Sequence, residues 1–202
     1  MTKVILVRHG QTVWNLEMKY QGHSDIALTE KGLYQAELAA GHLATEKIAA
    51  VYASDLNRAF KTAEIIAGKH GLPVISLAAL REISFGEWEG LTYDGINSRW
   101  ADVIAKLFSH PDEVRIPGGE TFGELKERAA GAIEQLVAKH QDETIAVVSH
   151  GGTIRTILCA ALNIHLNHVW SIKQDNTAIN IIEYYKERTI VGLMNDTCHL
   201  NG

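Results

Sequence analysis

Hydrophobic and polar positions along the chain fall into short apolar runs separated by stretches of helical period. Val4-Ile5-Leu6-Val7 is an unbroken, mostly β-branched run and predicts a strand buried on both faces. Residues 20–25 are polar and loop-like. Thr29 then reads as an N-cap, and Leu33, Ala36, Ala40 and Leu43 mark one face of a helix. Residues 48–53 predict a second strand, and Arg58, Ala59, Ala63, Ile66 and Ala67 predict a helix behind it. Gly71-Leu72-Pro73 breaks the chain before a third short strand over 74–77.

The middle departs from this rhythm. Residues 80–91 mix acids, aromatics and glycines without a period, and a helix over 96–108 leads to a loop closed by Pro117-Gly118-Gly119. Thr121 with Glu124 three residues on is a capping box for a helix over 122–139. The run 144–149 repeats the design of the first strand, ends in His150-Gly151-Gly152, and passes into a helix at Thr153-Ile154-Arg155. Residues 179–185 and 189–193 flank Lys186-Glu187-Arg188 and predict a β-hairpin. Strands alternating with helices predict an α/β fold. The expected architecture is three-layer and doubly wound, a mostly parallel sheet with at least one antiparallel strand and helices on both faces. We expect a single domain over 1–202, with about 80–120 inserted above the functional edge of the sheet.

Composition narrows the partners. A formal net charge of −5 gives no basic field for nucleic acid or acidic lipid, so any positive potential must be local. No apolar run approaches the length of a membrane span, and the start is too short for a signal h-region. The two cysteines, Cys159 and Cys198, make no disulfide framework. We therefore expect a cytoplasmic protein, monomeric or homodimeric, that acts on a small molecule.

The chemistry sits at strand ends. Arg8-His9-Gly10 follows the first strand and His150-Gly151 follows the fourth, while Arg58 heads a helix and Glu82 heads the irregular segment. In open α/β sheets ligands bind outside the carboxyl ends of the strands. Arginine offers a fork of donors to an oxyanion, and a neutral histidine offers a nucleophilic or basic nitrogen. One histidine at a strand end is commonly structural. Two, with arginines at the same edge, point to a phosphate site.

These residues carry a resemblance to the histidine phosphatases, the phosphoglycerate mutase-like superfamily. The matching blocks are Arg8-His9-Gly10-Gln11-Thr12 with Trp14-Asn15, Gln21-Gly22, Leu28-Thr29-Glu30-Lys31-Gly32, and Ser54-Asp55-Leu56-Asn57-Arg58-Ala59 with Thr62-Ala63. They continue through Glu82, Phe85-Gly86-Glu87-Trp88-Glu89-Gly90, Pro117-Gly118-Gly119-Glu120 and Ser149-His150-Gly151-Gly152, in family order. The resemblance implies that His9 is the nucleophile that becomes phosphohistidine. It implies that Arg8, Arg58 and His150 form the phosphate pocket and that Glu82 donates and accepts the proton. Asn15 is implied as a further phosphate contact, with Gln21, Gly22 and the Gly151 backbone lining the site. No metal and no cofactor are implied.

The reaction needs these residue types. Phosphoryl transfer spreads charge over three equatorial oxygens, so catalysis is positioning plus electrostatics, which two arginines supply. Backbone N–H groups of Gly151 and Gly152, heading a helix, add an anion-friendly dipole end. An alkyl leaving group needs a proton, and water attacking phosphohistidine must lose one.

The function read from this set is a metal-independent phosphomonoesterase on a small phosphorylated metabolite, resembling α-ribazole phosphatases, phosphoserine phosphatases and broad-specificity members. A cofactor-dependent phosphoglycerate mutase is the alternative, and a non-catalytic phosphate binder is a further one. Other features read as bland. His165 and His168 lack a third metal ligand at suitable spacing, Cys198-His199 reads as solvated, and Glu87 and Glu89 read as solvent-facing. Trp88 and Trp100 fit the core or a pocket wall equally well.

Overall fold

The computed structural model describes residues 1–201. Six strands form one sheet: β1 (Thr2–Arg8), β2 (Ile48–Ala53), β3 (Val74–Ser76), β4 (Thr144–Ser149), β5 (Ile179–Tyr184) and β6 (Thr189–Asp196). Their spatial order is β3-β2-β4-β1-β5-β6. The first four are mutually parallel, while β5 runs antiparallel to β1 and β6 antiparallel to β5. The hairpin thus adds two antiparallel strands.

Six helices accompany the sheet: α1 (Val13–Leu16), α2 (Glu30–Leu43), α3 (Asn57–Gly68), α4 (Tyr93–Ser109), α5 (Phe122–Lys139) and α6 (Gly151–Ala161). Side chains alternate across each strand and build two cores. Ile5, Val7, Val51, Ala146 and Val148 pack with Ala40 of α2 and Ala59, Ala63 and Ile66 of α3. Val4, Leu6, Ile145 and Val147 face the opposite way, onto Leu125, Ala129 and Ile133 of α5 and Ile154 and Leu158 of α6. β1 and β4 are central and apolar on both faces, which is why their runs are unbroken. The result is the three-layer arrangement expected.

Both helix caps that the sequence predicts are formed. Thr29 caps α2 through the Gly32 N–H, and Thr121 and Glu124 form the reciprocal capping box of α5. Four details differ. α1 was not foreseen: it is a single turn, closed by a capping box between Thr12 and Asn15. α4 begins at Tyr93, earlier than expected, and leaves helical geometry at Trp100, where φ is −136°. α6 begins at Gly151, and β6 runs on to Asp196. No helix among the described residues is long and apolar enough to cross a membrane.

Candidate active site

The carboxyl ends of β1 and β4 lie side by side because the two strands pair in register, Arg8 opposite Ser149. Pairing continues one step further, with the His9 N–H donating to the Ser149 carbonyl at 3.0 Å. His9 and His150 therefore sit together, ring centroids 5.2 Å apart. Gly10 lets the chain turn beneath α2: a Cβ there would lie 2.3 Å from the Gly32 carbonyl oxygen.

A cavity of about 270 Å³ opens at this edge, lined by Arg8, His9, Asn15, Gln21, Arg58, Glu82, Gly151 and Gly152 among others. His150 lies fully buried behind His9, and Gly22 stands back from the cavity wall. The remaining lining is Met18, Lys19, Tyr20, Phe85, Phe122, Arg155 and Trp170. Four cationic side chains (Arg8, Lys19, Arg58, Arg155) thus face one carboxylate, Glu82, on a protein whose net charge is −5. The positive potential is therefore local to this cavity.

The three arginines are held by backbone carbonyls, whereas Lys19 pairs with the Glu17 carboxylate at 2.8 Å. Arg8 Nη1 donates to the Gln174 carbonyl at 2.6 Å, and Arg58 donates Nη1 to Ser24 and Nη2 to Gly22, both at 2.7 Å. That is what Gly22 does: it orients Arg58 through its backbone. Burial brings the guanidinium pKa of Arg8 and of Arg58 down to about 10, still fully charged at neutral pH. Their Nε atoms, with both ring nitrogens of His150, are buried and have no partner within the chain. Buried donors are ordinarily satisfied, so a cluster of unpaired ones marks where an oxyanion is received.

His9 is 2 % exposed, and its Nδ1 lies 2.7 Å from the Gly10 carbonyl oxygen. A carbonyl only accepts, so Nδ1 carries the proton and Nε2 keeps its lone pair. Burial, then Arg58 and Arg8, hold the ring well below the usual histidine range, and His150 is lowered likewise by burial and Arg58. Neutral imidazole is the form a nucleophile requires.

Glu82 occupies a position the sequence did not disclose. Its carboxylate accepts the N–H groups of Gly152 at 3.0 Å, Thr153 at 3.1 Å and Ile83 at 3.0 Å. It takes the place of the missing side-chain cap of α6. The Gly152 N–H, expected to serve the phosphate, is therefore engaged by Glu82. The backbone of Glu82 is fixed in turn by Arg128, which donates to the carbonyls of Ala79, Arg81 and Glu82 and pairs with Glu120. Asn15 accepts from the Thr12 N–H and the Asn176 side chain through its Oδ1, so its amide NH2 is the group it offers the cavity. Gln21 Oε1 lies 3.0 Å from the Thr12 hydroxyl, whose one proton goes either to it or to Asn15.

Several supports carried no motif. Asn176 Nδ2 and the Thr177 N–H both donate to the His9 carbonyl, and Gln174 receives Arg8. The available signal was topological: β5 is antiparallel to β1, so the polar loop before it must end at the carboxyl edge. Trp88 proves to be core, fully buried against Tyr20 and Trp100, and the aromatic wall of the cavity is Tyr20, Phe85, Phe122 and Trp170. Glu89 is not a solvent-facing acid; it accepts the N–H groups of His23 and Ser24, while Glu87 is exposed. His165 pairs with Asp112, and among the described residues neither it nor His168 joins a three-ligand cluster.

Comparison with known proteins identifies the family. A model of the histidine phosphatase superfamily, branch 1, matches residues 4–197, and the chain belongs to that superfamily. It is similar to phosphoserine phosphatase 1 of Hydrogenobacter thermophilus, 34% identical over 200 residues that cover 99% of this chain and 95% of the relative. Among solved structures it superposes on Bacillus stearothermophilus YhfR with a TM-score of 0.93 at 34% identity, covering 99% of this chain and 100% of that one. It superposes also on an Entamoeba histolytica phosphoserine phosphatase, an H9A mutant in complex with phosphoserine, with a TM-score of 0.90 at 32% identity, covering 99% and 100%. The protein is a phosphatase of the histidine type, with a small-molecule phosphate as its substrate.

Proposed function

We propose that this chain hydrolyses small phosphate monoesters of the phosphoserine kind, without a metal, through two displacements at His9. The observation that carries the reading is the arrangement of His9. Its Nδ1 is tied to the Gly10 carbonyl and its ring is neutral, so the Nε2 lone pair is free beside two carbonyl-anchored arginines. In the first step Nε2 attacks phosphorus as the bond to the ester oxygen breaks. Arg8, Arg58, His150, Asn15 and the Gly151 N–H hold the phosphoryl oxygens, and Glu82 gives its proton to the departing alkoxide. In the second, Glu82 takes a proton from water, which attacks phosphorus and restores His9.

Arg155 and Lys19 are cationic groups of the cavity beyond those assigned to the phosphate. Arg155 follows Gly151 by one helical turn, its Nε fixed on the Ile172 carbonyl at 2.8 Å. They suit an ester that carries a carboxylate, and relatives named phosphoserine phosphatase support the same class. We read residues 1–202 as one domain, with 80–120 forming part of its wall through Glu82 and Phe85, in a reducing cytoplasmic setting and as a monomer or homodimer.

Phosphoserine and phosphoethanolamine differ by the carboxylate, so their kcat/KM ratio tests the substrate class. We expect phosphoserine to be preferred and Arg155→Gln to reduce the preference by roughly tenfold, the worth of one charge-assisted hydrogen bond. An unchanged ratio removes Arg155 from recognition. An assay primed with bisphosphoglycerate separates the mutase alternative; phosphate release without mutase turnover is the expected result.

A further inference from the structure

We propose a second site, a zinc-class metal site that clasps the carboxyl-terminal segment to α2 through His42, Asp196 and Cys198. His42 lies in the last turn of α2, Asp196 is the last residue of β6, and Cys198 opens the short helical turn Cys198–Leu200. One ligand atom from each lies within 4.8 Å of the other two. Cys198 Sγ donates to Asp196 Oδ2 at 3.2 Å, and the Cys198 N–H holds Asp196 Oδ1 at 3.0 Å. The segment is thus folded so that the two side chains face the same helix end.

The donor set decides the ion. One imidazole nitrogen, one sulfur and one carboxylate oxygen form a mixed, borderline-soft set of the kind that takes Zn²⁺ or Co²⁺, whereas Mg²⁺ and Ca²⁺ require oxygen ligands. Three protein ligands leave one tetrahedral position, for water or for a neighbour. His199 lies beside these three but outside their 4.8 Å cluster, its ring centroid 5.9 Å from that of His42. The Thr177 hydroxyl donates to the Asn176 carbonyl at 2.8 Å, so it accepts the Nε2–H of His199 at 3.1 Å. That tautomer leaves the lone pair on Nδ1, a buried nitrogen with no partner in the chain. A hydrogen bond from the far ring nitrogen is what ordinarily orients a metal-binding histidine.

The site lies apart from the catalytic cavity but touches its scaffold. Thr177, which holds His199, also donates its N–H to the His9 carbonyl. Closure of the clasp therefore stabilises the loop that supports His9 without supplying anything to the reaction. Ligand atoms move little, because His42 and Cys198 are exposed and already adjacent.

The test is Co²⁺ titration of the full chain after chelator treatment, followed by absorption. We expect one equivalent to bind with a sulfur-to-cobalt charge-transfer band in the near ultraviolet and visible bands of tetrahedral type, both abolished by Zn²⁺. Cys198→Ser should remove the charge-transfer band, and His42→Ala should weaken binding by roughly tenfold or more. Both positions are exposed, so both variants are expected to fold. Zn²⁺ should raise the melting temperature of the native chain and of neither variant, while phosphatase turnover is the same with and without chelator. Absence of a sulfur-to-cobalt band, a band that persists in Cys198→Ser, or native affinity in His42→Ala overturns the site, as does binding lost instead in His165→Ala.

Discussion

The carboxylate of Glu82 caps the helix that begins at Gly151, accepting the Gly152 N–H at 3.0 Å across a sequence separation of 70 residues. The proposed acid and the helix terminus are thereby one unit. If Glu82 protonates the leaving oxygen, its worth must depend on how much the leaving group needs that proton. Glu82→Gln should lower kcat/KM for an alkyl phosphate by about 10²–10⁴-fold, and for nitrophenyl phosphate far less, because phenolate leaves unaided. Equal losses for both esters mean that Glu82 only positions the pocket, and the acid role passes to His150.

Gly152 makes that approach possible. A Cβ at this position would stand 2.6 Å from Glu82 Oε1, so Gly152→Ala must displace the carboxylate. A misplacement of about 1 Å costs on the order of 10²-fold in rate. We expect kcat/KM for alkyl phosphates to fall by about that factor while nitrophenyl phosphate is spared, reproducing the Glu82→Gln pattern with the carboxylate still present. Equal activity of Gly152→Ala and the native chain contradicts the coupling.

His9 and His150 are both buried neutral, with pKa values well below the usual range. The unfolded chain binds protons at these positions near pH 6.5 and the folded chain does not, so stability is retained above that pH and lost as pH falls below it. Each group contributes a slope of at most about 1.4 kcal/mol per pH unit. Urea unfolding at pH 7.5 and 5.5, in buffer without phosphate, should show a loss that is smaller in His150→Gln. Identical losses in both proteins mean that the ring is protonated in the folded state.

Strand ends carried most of what the sequence could tell. Arg8-His9-Gly10 and His150-Gly151 follow apolar runs of one design, and parallel neighbours of one design must end at one edge. Arg58 was legible because it opens a helix behind a strand. The capping role of Glu82 was not, since it joins a segment without period to a helix 70 residues on and no local pattern encodes it. Nor does a local pattern single out Arg128 on α5, although it gathers three carbonyls of the segment around Glu82. Asn176 and Thr177 lie in a polar loop whose position follows only from the direction of β5. Trp88 was ambiguous because an aromatic in an irregular stretch has no face until its neighbours Tyr20 and Trp100 are placed.

The covalent step at His9 is the centre of the account. Rapid acid-free quenching during turnover of ³²P-labelled substrate, followed by peptide mapping, measures it directly. The account predicts an acid-labile, base-stable phosphoramidate on the peptide that carries His9, absent from His9→Ala, with Glu82→Gln accumulating more of it when nitrophenyl phosphate is the substrate. Label on a serine, an aspartate or His150, or turnover that persists in His9→Ala, contradicts it.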